Sequence, residues 1–235
     1  MRELIQSGLD ALGLAPPPRA VEQLEQYSLL LQEKNQVMNL TAITDPTEIV
    51  QLHFLDCAAI LGCCNLEGRT LIDVGTGAGF PGLVLKILVP SLKLTLLDGL
   101  QKRLTWLEEV CKVLSLSDVT YCHARAEDRG HDAQYRQQFD YATARAVADL
   151  KILAELCLPF VKTGGNFLAM KTADCQQEVD ASIPSIIGLG GMLMSPHQYT
   201  IPGTAIARTI IRIEKQSETP SKYPRRWTKM QNESL

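Results

Sequence analysis

Residues 71–82 read LIDVGTGAGFPG, with Gly75, Gly77 and Gly79 at alternating positions directly after an apolar run. Glycines at the tip of a strand let a nucleotide approach the backbone where any Cβ would obstruct it. Two carboxylates flank this loop. Asp73 stands at the strand end, where a pyrophosphate would meet an unwanted negative charge and a cationic, amine-bearing ligand would find an acceptor. Asp98 ends the next apolar run, 23 residues after Gly75, and is placed to accept both hydroxyls of a ribose. Read as Gly77-x-Gly79-x-x-Gly82, the same glycines also match the dinucleotide fingerprint, which leaves a nicotinamide enzyme open on the motif alone.

The elements that must hold these residues alternate in type. TLIDV, LKLTLLD, VTYCHA, FDYATA and GNFLAMK read as buried strands. FPGLVLKIL, QKRLTWLEEVCKVL, DLKILAELCLPFV and a stretch near 174–187 read as helices. This alternation calls for an α/β fold, a parallel sheet with helices on both faces. GMLMSPHQYTI and AIARTIIRIEK, joined at Pro202-Gly203, form a hairpin that gives the sheet an antiparallel edge. Ahead of the sheet, Val21, Leu24, Tyr27, Leu31 and Met38 recur at helical spacing. Thr44-Asp45-Pro46 opens a further helix, which puts His53 and Asp56 on one face. The expected organisation is a helical extension over 1–65 packed on the main domain, an α/β domain over 66–215, and a basic tail over 216–235.

Composition narrows the class. The 235 residues are 46% hydrophobic and 21% charged, which excludes collagen, low-complexity disorder and an extended coiled coil. No apolar run is long enough to span a membrane, and the N-terminus lacks the pattern of a signal peptide. Seven cysteines without a C-x-x-C pair indicate reduced thiols in a cytoplasmic protein, and no cluster has metal-ligand spacing, so no metal is implied. The net charge of −3 divides into −5 over 1–65, 0 over 66–170 and +2 over 171–235. Any RNA partner must therefore be met by a local patch, for which KYPRRWTK, with Lys222, Arg225, Arg226 and Lys229 around Tyr223 and Trp227, is one candidate.

A ligand that joins an adenosine ribose to a charged amino-acid tail is S-adenosylmethionine. The order of apolar strand, Asp-x-Gly-x-Gly-x-Gly and a second acidic strand end resembles a class I methyltransferase, a Rossmann-like, mostly parallel sheet. More specifically, the chain resembles the bacterial glucose-inhibited division protein B (RsmG) family. The matching pieces are MNLTAI, HFLDC, LIDVGTGAGFPG, LLDGLQKRLTWLEEV, HARAED, ATARAVADL, AMK ending at Lys171, the AR of AIARTIIRI, and KYPRR. The resemblance implies methylation of N7 of a guanine in 16S rRNA (guanine 527, in the 530 loop), on free RNA or the small ribosomal subunit. It implies S-adenosyl-L-methionine as cofactor, S-adenosyl-L-homocysteine as product, and a monomer by default.

Carried over residue by residue, the resemblance places Gly75, Gly77 and Phe80 in the cofactor loop, Asp98, Gly99 and Leu100 at the ribose, and Ala126 and Glu127 at the adenine. Arg145 falls beside the cofactor, and Arg125, Lys171 and Arg208 near the RNA entrance. Departures are Gly99 and Cys57 where Ser is usual, Thr172 after Lys171 where Gly is usual, and a tail beyond Arg226 without the usual Gly/Pro/Lys continuation.

The residue types suit that reaction. Guanine N7 carries an available lone pair and needs no general base. No Asn-Pro-Pro-aromatic motif and no cysteine pair of the pyrimidine-C5 type is present, and Cys157 reads as core. Catalysis then consists of aligning N7 with the sulfonium methyl and stabilising the charge that moves to the purine. Arg145, Arg125, Lys171 and Arg208 are assigned to positioning, since arginine can donate two bonds to guanine O6 or grip phosphates. Competing roles stay open: ion pairs of Arg125 or Arg145 with Asp128 or Asp149, either a guanine-edge reader or a helix-face hydrogen bond for His53 with Asp56, a solvated end for the tail. So do other functions, namely methylation of another RNA, a small molecule or a protein, or a binding module without catalysis.

Overall fold

The computed structural model describes residues 1–145 and 148–232. Strands β1 (Thr70–Val74), β2 (Lys93–Asp98), β3 (Val119–His123), β4 (Phe139–Arg145) and β5 (Val161–Thr172) pair in parallel in the order β3-β2-β1-β4-β5. On the far side of β5 lies antiparallel β8 (Ala207–Lys215), whose outer edge is shared by β6 (Gly191–Leu193) and β7 (His197–Thr200). The expected hairpin is present, turning through Pro202-Gly203. Its first arm is broken in two around Pro196, which has no N–H for the ladder.

Helices cover both faces, and the strands alternate between them. Leu71 and Leu168 face one apolar cluster, Ile72, Val74, Phe167 and Ala169 the other. Burial on both sides is why these strands read as continuous apolar runs rather than as alternation. The first face carries α1 (Arg2–Ala11), α2 (Ala20–Met38), α5 (Gly82–Leu88) and α6 (Gln101–Val113). The second carries α7 (Ala126–Arg129), α8 (Leu150–Cys157), α9 (Gln176–Gly188) and the C-terminal α10 (Trp227–Asn232).

Between α2 and β1 the chain forms one continuous helical run. Asp45 caps it by accepting from the Thr47 and Glu48 backbone at 2.9 and 3.0 Å, with Pro46 in the first turn of α3 (Pro46–Glu48). Ile49–Leu55 is then wound as a π-helix before α4 (Asp56–Ala58). The wider winding re-aims His53 and Asp56, which make no hydrogen bond to each other. Both turn toward Arg145 instead, and the helix-face bond expected from α-helical spacing is not the one formed.

The other local differences have similar causes. α5 starts at Gly82 rather than Phe80, because residues 75–81 are consumed by the loop that follows β1. α8 ends at Cys157, where Leu158-Pro159-Phe160 tightens into a 3₁₀ turn, and β5 starts at Val161, with a register shift against β4 between Phe139 and Tyr141.

The acidic N-terminal segment packs on the sheet domain. Gln23 Nε2 donates to the Leu114 carbonyl at 2.7 Å, and the buried Tyr27 hydroxyl donates to the Ala78 carbonyl inside the glycine loop. Gly79 (φ +92°) makes that approach possible, since a Cβ there would lie 2.5 Å from Tyr27 Oη and 2.9 Å from Leu107. Its freedom therefore serves helix packing rather than ligand approach. Tyr27→Phe leaves the Ala78 carbonyl without its donor and is expected to cost about 1–3 kcal/mol in urea unfolding. An unchanged unfolding midpoint would show that the carbonyl finds another partner.

Candidate active site

The strand order reverses between β1 and β4, and in such sheets ligands bind outside the carboxyl ends of the strands flanking that point. The loop after β1 and the Arg145 end of β4 meet there. Gly75 and Thr76 donate to the Leu97 carbonyl at 2.8 and 3.1 Å, bending the loop across the tip of β2. Gly75 (φ +71°) and Gly77 (φ +59°) face a cavity of about 550 Å³, and a Cβ built on Gly77 meets nothing closer than 3.9 Å. That open cradle is what a ligand approaching the backbone requires.

Asp73 does not line this cavity. It is fully buried, and its Oδ2 accepts from Thr76 Oγ1 at 2.6 Å and from the Gly82 backbone at 3.0 Å, bracing both ends of the loop. Oδ1 has no partner among the described residues. Burial pushes the carboxyl up to about 6, against the lowering effect of those two bonds. The expected role as an acceptor for a ligand amine thus gives way to that of a prop beneath the loop.

Asp98 does line the cavity. Its Oδ1 accepts from the Leu100 backbone at 2.8 Å, and its Oδ2 from Gly77 N–H at 2.9 Å and from Arg103 Nη1 at 3.4 Å. A carboxylate offers about four acceptor sites. One stays open for a ligand hydroxyl, and a second opens if the long Arg103 contact yields. Gly99 and half-exposed Leu100 complete this edge, with Arg125 Cδ 3.4 Å from where a Gly99 Cβ would stand.

Beyond Asp98 a smaller cavity of about 270 Å³ is walled by Val74, Leu97, Ala124, Ala126, Leu156 and Trp227, with Glu127 at its rim. Arg125 pairs with Glu127 at 3.2 Å and not with Asp128, and its guanidinium lies 5.8 Å from the Trp227 ring centre. It therefore lines both this cavity and, with Arg145, the 550 Å³ one, whereas Lys171 and Arg208 line neither.

Arg145 is the hub of the site. Its Nη1 donates to the Leu52 carbonyl at 3.1 Å and to Asp56 Oδ2 at 3.4 Å, its Nη2 to His53 Nδ1 at 2.9 Å, and its guanidinium lies 4.9 Å from the Phe80 ring centre. Asp56, not Asp149, is its acidic partner. His53 stacks on Phe80 with 4.4 Å between centroids. Arginine can only donate, so His53 Nδ1 accepts and its proton sits on Nε2, which donates to Thr41 Oγ1 at 2.9 Å.

His53 and Arg145 form the partition between the 550 Å³ cavity and a second one of about 460 Å³. Asp56, Met170, Lys171, Thr172, Glu178 and Arg208 surround the latter. Asp56 Oδ1 accepts from Tyr199 Oη at 2.7 Å, with Arg208 Nε at 3.9 Å. Lys171 donates to Glu178 Oε1 at 2.6 Å and to the Ala148 carbonyl at 3.1 Å. Arg103, Tyr199, Glu178 and Thr41 were not singled out from sequence. Only Thr41, within MNLTAI, and Arg103, within LLDGLQKRLTWLEEV, lay in a stretch that carried a signal.

A glycine loop and open cavity at the switch point of a mostly parallel sheet with an antiparallel hairpin give the fold of a class I methyltransferase, the fold of S-adenosylmethionine-dependent enzymes. Solved structures agree on the fold. The chain superposes on an S-adenosylmethionine-dependent O-methyltransferase of Thermotoga maritima with a TM-score of 0.52 at 18% identity, over 81% of this chain and 73% of that one. For M. jannaschii TYW2 in complex with AdoMet the values are 0.51, 14%, 65% and 71%. The sequence identifies the branch: residues 20–195 match the model of the GidB family, rRNA small subunit methyltransferase G, and the chain belongs to that family. Ribosomal RNA small subunit methyltransferase G of Alkaliphilus metalliredigens is 46% identical over 95% of this chain and 94% of its own length. That of Acetivibrio thermocellus is 44% identical over 96% and 93%.

Burial and the neighbouring Arg145 charge hold the His53 imidazole down to about 3, so it is neutral throughout the working range. In the unfolded chain it titrates near 6.5. The unfolded state therefore takes up the extra proton first, and this residue's contribution to stability is complete above 6.5 and lost as pH falls toward 3. The His53 ring resonances are expected to stay constant from pH 8 to 5 in NMR titration. A midpoint near 6.5 would contradict the buried, arginine-bound imidazole.

Proposed function

We propose that this chain transfers the methyl group of S-adenosyl-L-methionine to N7 of a guanine in 16S rRNA, the position in the 530 loop that its resemblance implies. The observation that carries the reading is the fixed Arg145 guanidinium between two adjoining cavities. Leu52, Asp56 and His53 occupy three of its five N–H donors, leaving Nε–H and one Nη2–H without a partner among the described residues. Those two remaining donors suit guanine O6, the neighbour of N7 on the Hoogsteen edge.

In this reading the larger cavity takes the ribose and amino-acid tail of the cofactor, with Asp98 holding ribose hydroxyls and Gly75 and Gly77 admitting the ligand to the backbone. The cofactor supplies an electrophilic sulfonium methyl. Guanine N7 has its own lone pair to accept that methyl, and the purine would gain positive charge without any proton transfer, so this chain has only to hold the two reactants in line. No base is required, which fits a neutral His53 whose two nitrogens are already engaged. Arg145 fixes the base in line rather than moving a proton, and Asp56 and Tyr199 fix Arg145. Asp56, 3.4 Å from that guanidinium, also offsets its charge as the purine becomes cationic. Arg208 and Lys171 line the base cavity, while Arg125 stands at the nucleoside side and faces solvent, where it can meet a flanking phosphate.

Small ribosomal subunits and protein-free 16S rRNA, incubated with methyl-labelled cofactor, provide the test, with the modified nucleoside identified after digestion. Label is expected in 7-methylguanosine. Arg145→Ala is expected to lower turnover about 100-fold, the scale of a misplaced reacting base, with cofactor binding much less affected. Label in another nucleoside or in protein, or an Arg145→Ala enzyme of unchanged rate, would overturn the reading.

A further inference from the structure

The basic tail does not end as a free arm. After β8, Arg136 donates to the carbonyls of Thr219 (2.6 Å) and Tyr223 (2.8 Å), and His131 Nε2 donates to that of Pro224 at 2.7 Å. Gly130 makes room for the crossing, since a Cβ there would stand 2.8 Å from Pro224 Cγ. Arg225 then closes a forked pair on Glu155 of α8, with Nε to Oε1 at 2.9 Å and Nη2 to Oε2 at 2.7 Å, and its backbone N–H meets the same carboxylate at 2.7 Å. Glu155 is 1% exposed and directly precedes Leu156, a wall residue of the 270 Å³ cavity. Met230 is buried in the apolar cluster behind. Four separate anchors thus bring a short helix to the sheet, and Trp227, its first residue, becomes part of the cavity wall beside Arg125.

We propose that Trp227 is a cofactor-binding residue: the C-terminal segment is a clasp whose indole closes the 270 Å³ cavity over the adenine ring of the methyl donor and of its product. The inference rests on the S-adenosylmethionine reading and extends it to a part of the chain beyond the family match at 20–195. The chemistry favours a flat heteroaromatic. Five aliphatic side chains and one indole supply most of the lining, and of its two carboxylates Asp98 lies toward the larger cavity while Glu127 offers an acceptor for an exocyclic amine. Ribose held at Asp98, which both cavities share, places the base in this direction. Indole contributes a large, rigid surface at low entropic cost, and stacking on it adds to the area it covers. Arg125, over the indole and paired with Glu127, ties the two sides of the cavity together.

The test uses the full chain and measures S-adenosylhomocysteine binding by calorimetry for the wild type, Trp227→Phe and Trp227→Ala. Wild-type binding is expected, with affinity lowered about tenfold or more in Trp227→Ala and largely kept in Trp227→Phe. The same loss is expected with 5′-methylthioadenosine, which lacks the amino-acid tail, because the contact is to the base. The chain has two tryptophans, and Trp106 lies buried near Tyr27 in the other cluster. A Trp106→Phe protein therefore reports on Trp227 alone without altering it, and its emission is expected to change on saturation with the product. Wild-type protein that binds no S-adenosylhomocysteine would remove the cofactor reading itself. Wild-type binding with an equally tight Trp227→Ala, or with silent Trp227 emission, would overturn the clasp and leave that reading intact.

Discussion

The guanidinium of Arg145 is where the two halves of the chain become one site. It leaves the end of β4, at the point where the sheet changes direction, and is received by the π-helix of the N-terminal segment through the Leu52 carbonyl, His53 and Asp56. Charges this deep are costly unless both partners are present, so each half supplies what the other would lack. The consequence is geometric. The partition between the two cavities belongs to neither the sheet nor the helical extension, and its position is set only when they dock. The acidic surplus of residues 1–65 is partly explained by this, since Asp56 faces inward to cations contributed from the sheet.

The glycine loop depends on a second internal constraint. Asp73 holds Thr76 and Gly82 from beneath, Leu97 receives two N–H groups from above, and Tyr27 takes the Ala78 carbonyl from the side. Three different elements therefore fix one seven-residue turn before any ligand arrives. A cradle already shaped in this way spends little binding energy on ordering itself.

The fold, the glycine loop and the acidic strand end beside it were legible in the sequence because they rest on local signals. Apolar runs alternating with helical stretches, glycines at a strand tip and an acidic residue closing the next strand are all short-range patterns. What misled or escaped was set by partners far along the chain. Asp73 and Gly79 sit in the motif but serve Thr76, Gly82 and Tyr27, and nothing in the spacing distinguishes a prop or a packing glycine from one that meets ligand. The π winding of Ile49–Leu55 turns His53 and Asp56 toward Arg145, some ninety residues away, and the α-helical period gives no warning of it. Tyr199 and Glu178 carry no motif at all and enter only because the hairpin and α9 fold beside the second cavity.

The strap that leads to the last helix is gripped by its main chain as well as by the side chains of Thr219 and Arg225. Arg136 and His131 grip carbonyl oxygens of Thr219, Tyr223 and Pro224, groups that every amino acid possesses. Its exposed side chains, Ser221 and Lys222, can therefore change while its path stays the same. Evolution can retune whatever residue the strap delivers to the cavity without rebuilding the route by which it gets there.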